Sequence, residues 1–106
     1  MRAKILNASA GSGKTYQLAY KYVRDVVEQP SIYRHILAVT FTNKATEEMK
    51  SRILKEIHLL ASGGESSYLE NLCRELDMDA ATVRRRAAEV RSKILHDYSR
   101  FTVLTI

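Results

Sequence analysis

The chain has no tryptophan, one cysteine, one proline and four glycines among 106 residues. A lone cysteine closes no internal disulfide, and Cys73 lies in Leu72-Cys73-Arg74 with no Cys or His at ligand spacing. It reads as a small buried hydrophobe. His35, His58 and His96 are scattered and read as structural or solvated. So little Pro and Gly excludes a collagen-like or Pro/Gly-rich chain. No apolar run approaches the roughly 20 residues that span a bilayer, and the first apolar pair, Ile5-Leu6, is too short for a secretory leader. These absences point to a cytoplasmic chain with no membrane partner.

What is present is ordinary for a globular protein: 45% hydrophobic and 27% charged residues, enough for one core and too apolar for disorder. The balance is basic, 17 Lys+Arg against 12 Asp+Glu, net +5. Such a balance favours an anionic partner, although surplus cations also serve solubility. It is uneven. From Val83 to Arg100 six cations, Arg84, Arg85, Arg86, Arg91, Lys93 and Arg100, face only Glu89 and Asp97, which places +4 of the +5 there. This stretch suits either a solvated helix face or a surface that contacts phosphates.

The pattern predicts an alternation of strands and helices. Ala3 to Asn7 reads as a short buried strand. Leu18, Ala19, Tyr22, Val23, Val26 and Val27 then recur on one helical face, and Gln29-Pro30-Ser31 ends that helix. Ile36 to Phe41 is a nearly continuous β-prone run, as in a strand buried on both faces. A second helix begins near Thr42 or Asn43 with a stripe of Ala45, Met49, Ile53, Ile57 and Leu60, and Ser62-Gly63-Gly64 stops it. Ser67 to Glu70 has capping-box spacing for a third helix running to about Leu76. Asp79 caps a fourth, with a seam of Val83, Ala87, Val90 and Ile94. Phe101 to Ile106 is a last strand. Strands separated by helices predict an α/β fold with a parallel sheet and right-handed crossovers.

Between the first strand and the first helix lies Ala8-Ser9-Ala10-Gly11-Ser12-Gly13-Lys14-Thr15. It matches the phosphate-loop (Walker A) pattern G-x-x-x-x-G-K-[ST], with Ala8 at the first glycine. Gly11 and Gly13 let the backbone turn tightly around a phosphate. Successive N–H groups and the helix N-terminus then form an anion site. Lys14 brings a positive charge to the β- and γ-phosphates, and the Thr15 hydroxyl suits Mg²⁺. The pattern predicts a P-loop NTPase that binds a nucleoside triphosphate. By itself it does not separate kinases, GTPases, transporters and helicases.

The second segment narrows the choice. Thr40-Phe41-Thr42-Asn43-Lys44-Ala45 lies where a strand gives way to a helix, the place where open parallel sheets bind ligands. Phe41 could stack a base while Thr42, Asn43 and Lys44 contact phosphate, as on single-stranded nucleic acid. The same residues also suit a helix cap and a core aromatic.

Together the two segments resemble superfamily 1 DNA helicases of the UvrD/RecB/AddA type. Asn7 to Thr15 looks like their first helicase motif, in which alanine at position 8 is usual. Val39-Thr40-Phe41-Thr42-Asn43-Lys44-Ala45, followed by Glu48-Met49 and Arg52-Ile53, looks like motif Ia. Ala-Ser-Ala-Gly before Ser-Gly-Lys-Thr, and Tyr16 after Thr15, lean toward the RecB/AddA helicase–nuclease branch. Leu104-Thr105-Ile106 resembles the strand that leads into that family's next motif.

The resemblance implies a RecA-like P-loop sheet with a helical insertion before the last strand. It divides the chain into 1–61, the front of the ATP-binding helicase domain, 62–100, an insertion with the basic helix, and 101–106, a further core strand. It implies ATP and Mg²⁺ at Ala8 to Thr15, with Lys14 as the catalytic contact to phosphate and Thr15 as the magnesium ligand. It implies single-stranded DNA at Thr40, Phe41, Thr42 and Asn43. The parent would be an ATP-hydrolysing helicase or helicase–exonuclease of recombinational DNA repair, with further helicase domains and a heteromeric partner subunit. The family's glutamine motif, acidic Asp-Glu motif and phosphate-reading arginines have no counterparts in these 106 residues. Hydrolysis needs charge on both sides of the γ-phosphate and a positioned water. The chain alone is therefore expected to bind nucleotide with little turnover. Phosphate transfer to a small acceptor would instead establish a small-molecule or nucleoside kinase. Nucleotide binding without turnover would suit a non-catalytic nucleotide- or DNA-binding module.

Overall fold

The computed structural model describes residues 4–7, 14–40, 42–98 and 101–105. The elements run β1 (Lys4–Asn7), α1 (Lys14–Glu28), a 3-10 helix (Pro30–His35), β2 (Ile36–Thr40), α2 (Asn43–Ser62), α3 (Leu69–Leu76), α4 (Ala80–His96) and β3 (Thr102–Thr105). The three strands form a parallel sheet in the order β1-β2-β3. Leu6 pairs with Ala38 and Ala38 with Val103.

Each crossover steps the same way across the sheet. Two right-handed crossovers in one direction place their helices on one face. The packing agrees, because α1, α2 and α4 all touch one another. Ala38 and Thr40 of β2 are buried beneath this layer, whereas Val39 between them is half-exposed.

Helix α1 buries Leu18, Ala19, Tyr22, Val23, Val26 and Val27. The chain leaves it through the 3-10 helix with Pro30 at its start, where a missing N–H costs nothing. Sequence patterning did not resolve this short element. Helix α2 is capped by Thr42, whose Oγ1 accepts from the Ala45 N–H at 3.0 Å, and it stops at Gly63. Gly63 has φ +85°, the left-handed conformation that only glycine adopts without strain. The buried stripe of α2 is Thr46, Met49, Ile53, Glu56, Ile57 and Leu60. Ala45, expected in that stripe, is half-buried, and Thr46 and Glu56 are buried with partners of their own.

The capping box expected at Ser67 does not form. Helix α3 has no side-chain cap, and Ser66 accepts the Tyr68 N–H instead, at 3.1 Å. Ser66 is favoured because its hydroxyl also reaches the buried Glu56 carboxylate at 2.7 Å. Asp79 does cap α4, accepting from Thr82 N–H at 2.8 Å, and hydrogen bonds from Thr82 hold its carboxyl below the usual range.

Val83, Ala87, Val90 and Ile94 of α4 lie in the same buried cluster as α1, α2 and β2. Residues 62–98 thus share one core with the part before them. Two arginines of α4 reach back to main-chain carbonyls of the fold. Arg84 Nη1 donates to the carbonyls of Leu59 (3.3 Å) and Leu60 (3.1 Å), and its Nη2 to that of Gly64 (3.1 Å). Arg86 Nη1 donates to the Glu28 carbonyl at 2.7 Å. Both cap helix C-termini, where carbonyls lack partners and the dipole favours a cation. A purely solvated or phosphate-contacting helix face therefore does not describe this stretch. Arg85 remains exposed, and Arg100 lies outside the described residues.

Candidate functional site

All three strands point the same way, so each β-to-α turn falls at one edge of the sheet. β1 ends at Asn7 and α1 starts at Lys14. β2 ends at Thr40 beside Thr105 of β3, and α2 starts at Asn43. The chain thus leaves β1 after Asn7 and β2 after Thr40 at the same carboxyl edge. The candidate loop residues Ala8, Ser9, Ala10, Gly11, Ser12 and Gly13, and Phe41, lie outside the described residues. Lys14 and Thr15 are the first two residues of α1, whose leading N–H groups have no partners within the helix. That free end suits an anion in front of it.

The β2–α2 turn is built by threonines. Thr40 is fully buried, and its hydroxyl shares a hydrogen bond with the Thr46 hydroxyl (2.5 Å), one of the two donating to the other while the other donates to the Thr42 carbonyl, 3.2 Å from Thr40 and 3.1 Å from Thr46. The Thr46 backbone N–H donates to the same carbonyl at 3.0 Å. The Thr42 side chain caps the helix. The Thr40 hydroxyl thus faces the interior and shapes the turn. Thr42, Asn43 and Lys44 are exposed on the surface of that turn.

Sequence reasoning missed a group around the start of α1. Tyr16, 39% exposed, meets the ring of Tyr68 edge-on at 5.0 Å. The Arg52 guanidinium from α2 sits over the Tyr16 ring, 5.2 Å from its centroid. The Tyr68 hydroxyl donates to the Tyr16 carbonyl at 2.8 Å. Tyr20 also packs edge-on against Tyr68, at 5.1 Å. Arg52 and Tyr68 lie far along the chain from Tyr16, and no local pattern links them. The Arg24–Glu75 pair, 3.0 Å long, ties α1 to α3 along the same flank and holds the Glu75 carboxyl below its usual range. An open groove of about 330 Å³ runs beside it between Tyr16, Tyr20, Lys21 and Asn71.

Among the described residues no group of three or more His, Cys, Asp or Glu could hold a metal ion, and no helix is long and apolar enough to cross a membrane.

Helix starts gathered at the carboxyl edge of a parallel sheet are the frame on which α/β proteins bind phosphate-bearing ligands. The chain belongs to the UvrD/REP helicase N-terminal domain family, whose model matches residues 2–104. It is 32% identical over 87 residues to RecBCD enzyme subunit RecB of Escherichia coli strain K12, covering 70% of this chain and 7% of that protein. It is 38% identical over 65 residues to the RecB protein of Borreliella burgdorferi, covering 61% of this chain and 6% of the relative. With ATP-dependent DNA helicase PcrA of Staphylococcus aureus it shares 43% over 77 residues, 72% of this chain and 10% of the relative. The chain thus spans a tenth or less of each of these relatives. No solved structure matches it.

Proposed function

We propose that this chain is the ATP-binding segment of an ATP-dependent DNA helicase that translocates on single-stranded DNA in break repair and recombination. The observation that supports the proposal is that β1 and β2 are neighbouring parallel strands, each followed in sequence by one of the two motifs. The Gly11-Ser12-Gly13-Lys14-Thr15 stretch joins β1 to α1, and the Thr40-to-Ala45 stretch joins the neighbouring strand to α2. In this reading the fold is a RecA-like P-loop sheet.

ATP with Mg²⁺ would lie in the loop Ala8 to Thr15. The bound nucleotide and metal supply the phosphoanhydride bond and a charge that neutralises its oxygens. The loop amides would hold the phosphates, the Lys14 ammonium would offset charge on the β- and γ-oxygens, and the Thr15 hydroxyl would serve as a ligand to the metal. Thr42 and Asn43 offer a hydroxyl and an amide to a DNA backbone, and Phe41 a ring to a base. Thr40 sets the shape of that turn from beneath. The parent protein's other helicase domains and a heteromeric helicase–nuclease subunit would be its partners, in the cytoplasm, with exonuclease activity in the branch that includes RecB.

The test is titration of the 106-residue chain with a fluorescent ATP analogue in Mg²⁺. Saturable binding is expected, weakened about 10–100-fold by Lys14→Ala, the scale of one lost charge-assisted contact. Equal binding by both chains would remove the phosphate-loop reading. Phosphate release should stay far below one turnover per second in a malachite-green assay. Release at that rate or faster, abolished by Lys14→Ala, would show a complete ATPase.

A further inference from the structure

We infer that Tyr68 is a positioning residue for the phosphate-binding turn. Its hydroxyl and ring tie the first turn of α1 to the α2–α3 connection, so that nucleotide at residues 8–15 and order at residues 66–72 stabilise each other. The inference rests on the ATP-binding reading above.

Tyr68 is fully buried between three elements. At one end its hydroxyl donates to the carbonyl of Tyr16, one residue past Thr15 and on the same helical turn as Lys14. At its other end the Tyr68 N–H donates to Ser66 Oγ (3.1 Å), and Ser66 Oγ donates to the Glu56 carboxylate (2.7 Å), itself buried on α2. The Tyr68 carbonyl accepts from the Leu72 N–H at 2.9 Å and so opens α3. A continuous hydrogen-bonded path therefore runs from α2 through residues 66–68 to the turn that carries Lys14 and Thr15. Arg52 reinforces it over the Tyr16 ring. The Tyr68 phenol is a donor at neutral pH, and burial, which pushes it above its ordinary value, keeps it one into the alkaline range.

A phosphate cradle loses affinity when the helix that carries it is free to shift, because binding must first fix it. Whatever holds α1 in place contributes to that affinity, and by linkage bound nucleotide must order what holds it.

The test compares the chain with Tyr68→Phe, which keeps the ring and removes only the donor. Affinity for the fluorescent ATP analogue should fall about 3–10-fold, the worth of one net hydrogen bond. ATP should slow amide exchange at residues 66–72 in the parent chain, and this protection should vanish in the variant. Tyr33→Phe is the control. It removes a hydroxyl that reaches the Lys93 carbonyl (3.3 Å) at the far end of α4, and should lower thermal stability while leaving nucleotide affinity within about two-fold, inside the scatter of distant sites. Unchanged affinity in Tyr68→Phe, equal weakening by both variants, or no ATP-dependent protection at 66–72 would overturn the positioning role. A parent chain that binds no ATP would overturn the phosphate-loop reading and this inference together. A parent that binds while Tyr68→Phe binds equally would overturn this inference alone.

Discussion

At Thr40 a single hydroxyl decides how the second motif is built. The run Ile36 to Thr40 was legible as a strand, because β-prone residues follow one another without a breaker. Which way Thr40 turned was not legible. Its inward direction depends on Thr46, one helical turn into α2, which offers it a hydroxyl 2.5 Å away. The same holds for Tyr68, a residue inside an expected capping box whose real partner is a carbonyl 52 positions earlier. Buried phenols also set a pH limit. Burial, with the neighbouring Glu75 carboxylate, raises Tyr20 from 10 to about 12, and burial raises Tyr22 and Tyr68 further. Above pH 10 these groups ionise in the unfolded chain and stay protonated in the folded one. The stability they contribute is whole below pH 10 and is lost as the pH climbs from 10 toward 12. Urea midpoints should therefore be lower at about pH 11 than at about pH 8, and equal midpoints would show that the three phenols titrate normally.

Among the elements, the long helices and the cap at Asp79 were legible, since propensity, spacing and cap chemistry agreed there, and of the two caps open for α2, Thr42 and Asn43, the structure uses Thr42. The role of the basic helix was not. Composition counts arginines but does not say which carbonyls they reach, and Arg84 finds three at the end of α2, 20 to 25 positions away. Arg84→Ala should destabilise the chain by about 1–3 kcal/mol, because half-buried carbonyls lose charged donors. Exposed Arg85→Ala should change stability by less than about 0.5 kcal/mol. Thermal melts of the two variants decide between a capping and a solvated role. Single-strand binding measured on Arg85→Ala would report surface charge without that loss of stability.

For the whole molecule, alternation of strands and helices was enough to read a parallel sheet. The handedness of the crossovers then fixes which face carries the helices. The expected division at residue 62 was less legible from patterning, because an apolar seam on a helix does not name what it packs against. Here the seam of α4 enters the shared core. The radius of gyration, 12.8 Å, is that of one compact domain of about 100 residues, near 13 Å. Ile94→Ala should accordingly cost about 2–5 kcal/mol and shift a single calorimetric transition. A separate, earlier melt of residues 62–98 would show that they form their own unit.

The long-range bonds from α4 to the end of α1 and to the 3-10 helix have a kinetic side. Arg86 reaches back 58 residues to Glu28, and Tyr33 waits 60 residues for the carbonyl of Lys93. At about 5–20 residues per second, a ribosome would take roughly 3–12 s to deliver each partner after the first was made. During that interval α1 has formed its sequence-local bonds but has neither its cap nor its cover, and its apolar face of valines and tyrosines is open to other chains. Contacts this distant in sequence also slow refolding. The links that cap α1 and cover its far end are thus among the last to close while the molecule is being made.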